Sequence, residues 1–358
     1  QVLCHDITQI IPGVKKDAVF RKGHIITKED IPVLLSVGKD TIYIWENDET
    51  MMHENEAAQV LYRMCVCGTN SNETDTKRHC DAAESGDSDS TVSKMHPSSV
   101  KEGKIEVIAD CDGLLKVDSE KLKKVNSFGE MMIATRHGNT TVKKGDKLAG
   151  TRIIPLVIKK DKLEVASHIC DDEPILDIKP FVVRKAAIIT TGNEVYHGRI
   201  QDAFTPVIEK KIAEFGAQMM FHEVFDDDDK KITDGCLRAI EAGAEIVFCT
   251  GGMSVDPDDK TPLAIKNTGA RIVSYGSPVL PGAMFLLSYY DAGDRLVPIC
   301  GLPGCAMYNK RTIFDIVLPR LMARDMILAD ELAGLGEGGL CLNCDVCTFP
   351  NCGFGKGF

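Results

Sequence analysis

Residues 182–194 read VVRKAAIITTGNE, an apolar, β-branched run that stops at a glycine between small polar residues. Directly after it, Phe204 to Phe215 places apolar residues at 204, 207, 208, 212 and 215, the spacing of one helix face. The pair reads as strand, loop, amphipathic helix, and the pattern repeats downstream. Strands are expected at Met219–Phe225, Glu245–Thr250 and Arg271–Tyr275, with helices at Lys230–Ala242 and Pro262–Asn267 between them. Two further strands, Met284–Leu287 and Leu296–Cys300, precede a long helix over about Ala306–Met322. Strands alternating with helices imply an α/β three-layer sandwich with a mostly parallel sheet over residues 181–330.

Upstream, the texture differs. Residues 1–64 form an N-terminal α+β segment, with a strand-like Thr41–Trp45 and helical spacing over Met52–Arg63. From Cys65 to Ser99 the chain is polar and poor in aromatics, as expected of a mobile insertion, placed at 65–100. Residues 101–180 read as a β-rich domain with strands at Glu130–Thr135, Thr151–Ile158 and Lys162–Ser167 and a short helix at Val117–Val125. His137-Gly138-Asn139-Thr140 reads as a hairpin tip carrying an exposed histidine.

The composition narrows the function. Of 358 residues, 44% are hydrophobic and no apolar run approaches the roughly 20 residues of a membrane span, so no membrane association is expected. A net charge of −11 argues against a broad nucleic-acid surface. The 14 cysteines fall short of a disulfide scaffold, and with no secretory signal pattern the protein is expected to be cytoplasmic.

In open α/β sheets ligands bind beyond the carboxyl ends of the strands. Four loops there are rich in glycine: Thr191-Gly192-Asn193-Glu194, Thr250-Gly251-Gly252-Met253-Ser254, the segment ending in Pro281-Gly282, and Gly301-Leu302-Pro303-Gly304. Glycines allow close backbone approach, so four such loops at one edge predict an anion pocket. Neither a Walker loop nor a dinucleotide fingerprint is present. Asp256, Asp258 and Asp259 follow the second loop. Carboxylates beside a phosphate site repel it unless a divalent cation intervenes, which points to Mg²⁺ held by Asp256 and Asp259; helix capping is the alternative role. The run Asp226–Asp229 reads as a solvated cap for the next helix.

The order and spacing of these loops, with Asp259 downstream of Thr250-Gly251-Gly252-Met253-Ser254, resemble the molybdopterin-binding domain shared by molybdopterin adenylyltransferases, molybdopterin molybdenumtransferases and the gephyrin E domain. The likeness covers about 140 residues, and the β-rich region upstream looks more like the molybdenumtransferases. It implies a site for the pterin phosphate or its adenylylated form, with Asp259 at the family's acidic position. Ala283 and Met284 replace the Lys-Pro that usually follows Pro-Gly, Asp256 stands where the family generally has Gly, and Cys305-Ala306 replaces Asn-Pro. The family's N-terminal Ser-x-Met-Asp-Gly-aromatic segment is missing.

The tail from 331 to 358 carries Cys341, Cys344, Cys347 and Cys352 as C-x2-C-x2-C-x4-C behind a glycine-rich linker at Gly336–Gly339. Four closely spaced thiolates suit Zn²⁺ or an iron–sulfur cluster, and the spacing leaves both open. A second metal at Cys65, Cys67 and Cys80 is the weaker reading. Cys4, Cys111, Cys170, Cys236, Cys249 and Cys300 read as buried small hydrophobes, and Cys305 as a thiol beside the ligand.

The resemblance implies molybdenum cofactor biosynthesis: adenylylated molybdopterin and Mg²⁺ bind, molybdate is inserted and AMP is released. Asp259, with Asp256 or Asp258, is expected to be catalytic. The alternatives are a non-catalytic molybdopterin carrier serving a client molybdoenzyme, and an adenylyltransferase or nucleotide pyrophosphatase on the same fold. A homodimer is implied by resemblance alone.

Overall fold

The computed structural model describes all residues except 1, 2, 4, 5, 12–14, 22, 43–47, 68–93, 171, 172, 255, 257, 258 and 358. The Thr41–Trp45 strand, Cys4, Cys80, Asp258 and most of the 65–99 insertion therefore lie wholly or largely outside the described residues. The chain forms two compact units. Unit 1 comprises residues 1–110, 117–136 and 144–177, and unit 2 comprises 111–116, 137–143 and 178–358.

In unit 1, β1 (Ile7–Ile11) pairs antiparallel with β2 (Lys15–Phe20), followed by α1 (Ile31–Ser36). β3 (Met51–His53) leads into α2 (Glu54–Val66), where the Nδ1 of His53 accepts from the Asn55 N–H at 3.3 Å and caps the first turn. Helix α2 thus carries Cys65 in its buried face, beyond the expected end at Arg63. β4 (Met95–Pro97) then pairs with β5 (Ile105–Ala109), so the polar insertion gives way to strand before Ser99. After β6 (Gly113–Val117), α3 (Ser119–Ser127) and β7 (Met131–Thr135), the chain forms β8 (Thr140–Val142), β9 (Lys147–Ile153) and β10 (Val157–Lys159). The four-stranded sheet runs β4-β5-β9-β7.

Three expectations fail here. Thr151–Ile158 is not one strand: β9 ends at Ile153 and β10 begins at Val157, and the two belong to different sheets. Lys162–Ser167 is helical, within α4 (Lys160–Ser167): Leu163 and Ala166, three apart, are buried while Val165 is exposed, which is helix and not strand burial. His137–Thr140 is no hairpin tip, because β7 pairs with β9 whereas β8 pairs with β6 in unit 2. His137 is exposed as expected.

Unit 2 is built on β12 (Lys185–Thr191), reached through β11 (Leu176–Lys179). It continues through α5 (Asn193–Tyr196), α6 (Phe204–Ala213), β13 (Gln218–Phe225), α7 (Asp229–Glu241), β14 (Ile246–Thr250), α8 (Thr261–Asn267), β15 (Arg271–Tyr275), β16 (Leu286–Asp291) and β17 (Leu296–Leu302). The six-stranded sheet runs β13-β12-β14-β17-β16-β15. β16 alone is antiparallel to its neighbours, so the sheet is mostly parallel.

Alternation along the strands makes the layers. Ala186, Ile188, Ile246 and Phe248 face one core with Ile208 and Ile212 of α6. Ala187, Ile189, Val247 and Cys249 face the other with Ile232 and Cys236 of α7 and Ala264 and Ile265 of α8. With both faces covered, the centres of β12 (Ala186–Ile189) and β14 (Ile246–Cys249) are apolar throughout, the pattern of a buried parallel strand. The expected last helix divides into α9 (Cys305–Tyr308) and α10 (Ile313–Met322), because Thr312 and Asp315 form a capping box that starts a new helix. A final helix, α11, spans Ala329–Gly334. No helix among the described residues is long and apolar enough to cross a membrane.

Candidate functional site

The parallel register brings four strand ends to one level: Thr191 opposes Phe225, Thr190 opposes Thr250, and Thr250 opposes Leu302. The loops leaving these ends form the candidate site. Gly251 and Gly252 both have positive φ, +80° and +54°, the left-handed region that favours glycine. A Cβ on Gly251 would overlap the Thr191 carbonyl oxygen, and one on Gly252 would lie 2.8 Å from Thr261 Oγ1. The first two glycine loops are therefore in backbone contact.

Thr261, fully buried at the start of α8, fastens them. Its hydroxyl donates to the Gly251 carbonyl at 2.8 Å and lies 3.1 Å from Thr191 Oγ1. The third partner is Gly301. A Cβ there would come within 2.6 Å of the buried Met253 side chain, so the fourth glycine loop makes room for the second. Thr191, Gly251, Gly252, Met253, Thr261 and Gly301 are thus one packed assembly.

Among the described residues, Thr250 Oγ1 and Asp259 Oδ2 are buried here without a hydrogen-bond partner, as is Asp226 Oδ1 just past the end of β13. Leaving such an oxygen unsatisfied costs about 1–3 kcal/mol, which a bound ligand would relieve. Asp259 is held by its own N–H, which donates to the Asp256 carbonyl at 3.0 Å. Asp256 and Ser254 are exposed, and Asp258 is not among the described residues. Among the described residues no three His, Cys, Asp or Glu side chains are arranged as a metal shell.

The other predicted residues divide. Asn193 and Glu194 are exposed, and Asn193 donates through its backbone and its side-chain amide to Asp227 at 3.2 and 2.7 Å. The Asp226–Asp229 run is therefore more than a helix cap. Asp228 caps α7 as expected, while Asp227 steadies the first glycine loop. Pro281-Gly282 belongs to a packing contact: a Cβ on the buried Gly282 would overlap Ile313, and Ile313 N–H donates to the Pro281 carbonyl at 3.1 Å. Leu302 and Pro303 are buried, whereas Gly304 is exposed with open space where a Cβ would go. Burial raises the Cys305 thiol above its ordinary range, against a reactive thiolate there.

One cluster went unread in the sequence. Thr190 Oγ1 donates to Asp202 Oδ2 at 2.9 Å and lies 3.2 Å from His222 Nε2, while the Thr205 hydroxyl donates to the same Asp202 oxygen at 2.6 Å. Asp202 Oδ1 also accepts from the Phe204 and Thr205 N–H groups at the start of α6. Burial opposes its charge, but the Thr205, Thr190 and Phe204 donors outweigh that and hold its carboxyl below the usual range. An Asp two residues before a helical pattern was the available signal; His222, on a neighbouring strand, gave none.

Residues 187–323 match the family described as a probable molybdopterin binding domain, and residues 1–46 match a domain of unknown function. Among curated proteins, the competence-damage inducible protein of Bacillus cereus strain B4264 is 32% identical over 129 residues, covering 36% of this chain and 30% of that one. That of Bacillus velezensis is 29% identical over 90 residues, covering 25% and 21%. The chain thus spans about a fifth to a third of the length of these two relatives. Similar solved structures include the tungsten cofactor synthesizing protein MoaB from Pyrococcus furiosus, at 18% identity and TM-score 0.30 over 40% of this chain and 89% of that chain. CinA of unknown function from Thermoplasma acidophilum is also similar, at 18% identity and TM-score 0.31 over 39% and 98%.

Proposed function

With a probable molybdopterin binding domain over residues 187–323 as premise, we propose that this protein binds adenylylated molybdopterin at the glycine-lined edge of the sheet and cleaves its phosphoanhydride, releasing AMP as molybdate is inserted. The observation that carries this reading is the buried, unpartnered Oδ2 of Asp259 beside the Gly251–Gly252 turn. Asp259 Oδ2 is a carboxylate oxygen lacking a partner, the kind of hard donor a divalent cation takes, and it is the one protein ligand assigned to such an ion here. Bound Mg²⁺ would supply positive charge to the phosphates.

The chain's own residues do the positioning. Gly251 and Gly252 let the second loop close onto Thr191 and Thr261, which fill the space their missing Cβ atoms would take, and so fix the shape of the sheet edge where the ligand would sit. Thr261 and Thr191 fix the two loops to each other, so donors are held in place before the ligand arrives. Asp259 would hold the cation and orient the attacking oxygen, and the exposed Ser254 and Asn193 would meet the outer part of the ligand.

A second reading, a carrier that binds without cleaving, draws on the Pro281-Gly282 loop. Ala283 follows it, so the loop supplies no cation, and its backbone is committed to Ile313. The test is AMP release from adenylylated molybdopterin with Mg²⁺ and molybdate. Release that falls about 10²–10³-fold in Asp259→Asn supports the enzyme. Tight binding without release supports the carrier, and release untouched by Asp259→Asn refutes the role given to that residue.

A further inference from the structure

The C-terminal tail is built into unit 2 and is no loose extension on a flexible linker. Gly339 lies where a Cβ would overlap the Pro278 carbonyl, and a Cβ on Gly355 would crowd the Ile316 side chain. The Leu280 N–H donates to the Gly339 carbonyl at 2.8 Å and the Cys341 N–H returns to the Leu280 carbonyl at 2.8 Å, a short parallel bridge. Phe354 is buried in the same core as Phe314 and Val317, with Phe349, Cys341 and Cys352 packed against it.

This anchoring brings all four tail cysteines to one cavity. Cys341, Cys344, Cys347 and Cys352 line it together with Lys310 and Arg311. Cys341 and Cys352 are half-buried, and Cys344 and Cys347, on the stretch of chain between them, are exposed. The sulfurs are not drawn into a closed shell. An exposed loop between two fixed cysteines can close on an ion without disturbing the core that holds its ends.

We propose that Cys341, Cys344, Cys347 and Cys352 form a tetrathiolate metal centre. Three cysteines spaced three apart, with a fourth five residues on, let one short loop supply every ligand. Four thiolates on Zn²⁺, or on a [4Fe–4S] cluster in its 2+ state, leave two net negative charges. Lys310 and Arg311, the latter shared with Asp315 at 2.9 Å, line the same cavity and would offset part of that charge. The other described cysteines give no comparable set: Cys236, Cys249 and Cys300 are buried in the two cores of the sheet.

The full chain, purified without oxygen, would be assayed for zinc, iron and acid-labile sulfide before and after incubation with Zn²⁺ alone or with Fe²⁺ and sulfide. About one zinc per chain, or about four irons and four sulfides with broad visible absorption, supports the centre and names the metal. The double variant Cys344→Ser, Cys347→Ser, chosen at exposed positions, should lose at least nine-tenths of the metal while keeping the circular dichroism of the metal-free parent. Cys305→Ser should retain the metal in full. Chains that take up neither metal under any of these conditions, or a double variant that keeps its metal, overturn the proposal.

Discussion

The backbone of Gly251 passes so close to Thr191 that a Cβ on Gly251 would overlap the Thr191 carbonyl oxygen. The loop after β14 is thus shaped by the loop after β12. Gly251→Ala should cost about 1–3 kcal/mol from backbone strain alone and should weaken pterin binding at least tenfold. Gly304→Ala, with right-handed backbone and open space around it, should stay within about 0.5 kcal/mol of the parent in urea unfolding. Equal losses in the two variants would contradict the loop contact.

Asp202 offers a separation of capping from charge. Asp202→Ala removes the acceptor for the Phe204 and Thr205 N–H groups and should cost about 1 kcal/mol. Asp202→Asn keeps an acceptor for those N–H groups but loses the charge beside His222, so its stability should lie between Ala and the parent. Thermal unfolding of the three proteins ranks them.

Asp325 sets an acid limit on unit 2. It is almost fully buried; burial alone would raise its carboxyl, but Lys116, Lys179 and Arg320 overcome that and hold it at about 2. A carboxyl depressed in the folded state adds stability above its unfolded value near 4, and that stability is lost as pH falls from about 4 through about 2. The contribution at neutral pH is on the order of 2 kcal/mol. Urea midpoints measured from pH 7 to pH 2 should fall in that window, and Asp325→Asn should start lower and flatten the acid limb. A parent whose midpoint holds steady from pH 4 to pH 2 would refute this.

Thiol chemistry should follow burial. Burial pushes the Cys65 and Cys300 thiols up, and Cys249 is raised by its contact with Cys236, whose sulfur lies 3.6 Å away, and by burial. Metal-free native protein treated with iodoacetamide at pH 8 should label Cys344 and Cys347 within minutes and leave Cys65, Cys249 and Cys300 intact until it is denatured. Mass spectrometry of the peptides reads this directly.

What was legible in the sequence follows from range. The central strands of the six-stranded sheet showed because a doubly covered parallel strand is apolar through its middle, and three of the four glycine loops showed because Gly192, Gly251, Gly252 and Gly282 take positive φ, where few other residues serve. Lys162–Ser167 misled because Leu163 and Val165 alternate like a strand, although burial selects Leu163 and Ala166. The break before α10 was present in the sequence as Thr312 followed three residues later by Asp315, and apolar periodicity ran over it. The Thr190–Asp202–His222 cluster and the seating of the tail against Leu280 depend on residues far apart in sequence, which local pattern does not report. The glycines at 251, 252 and 301 proved to be required by loop-to-loop packing, and Gly282 by Ile313, so a glycine-rich loop is not by itself an open cradle.

The seating of Phe354 bears on how the protein is made. Unit 2 begins with residues 111–116, and its core is complete only when Phe354 reaches Phe314 and Val317. A ribosome that has finished α11 has supplied every helix and strand of that unit, yet the socket for Phe354 stays open until at least twenty further residues have been added. Translation halted in that interval would release a chain with complete secondary structure and an exposed aromatic socket, a substrate for chaperones or for aggregation.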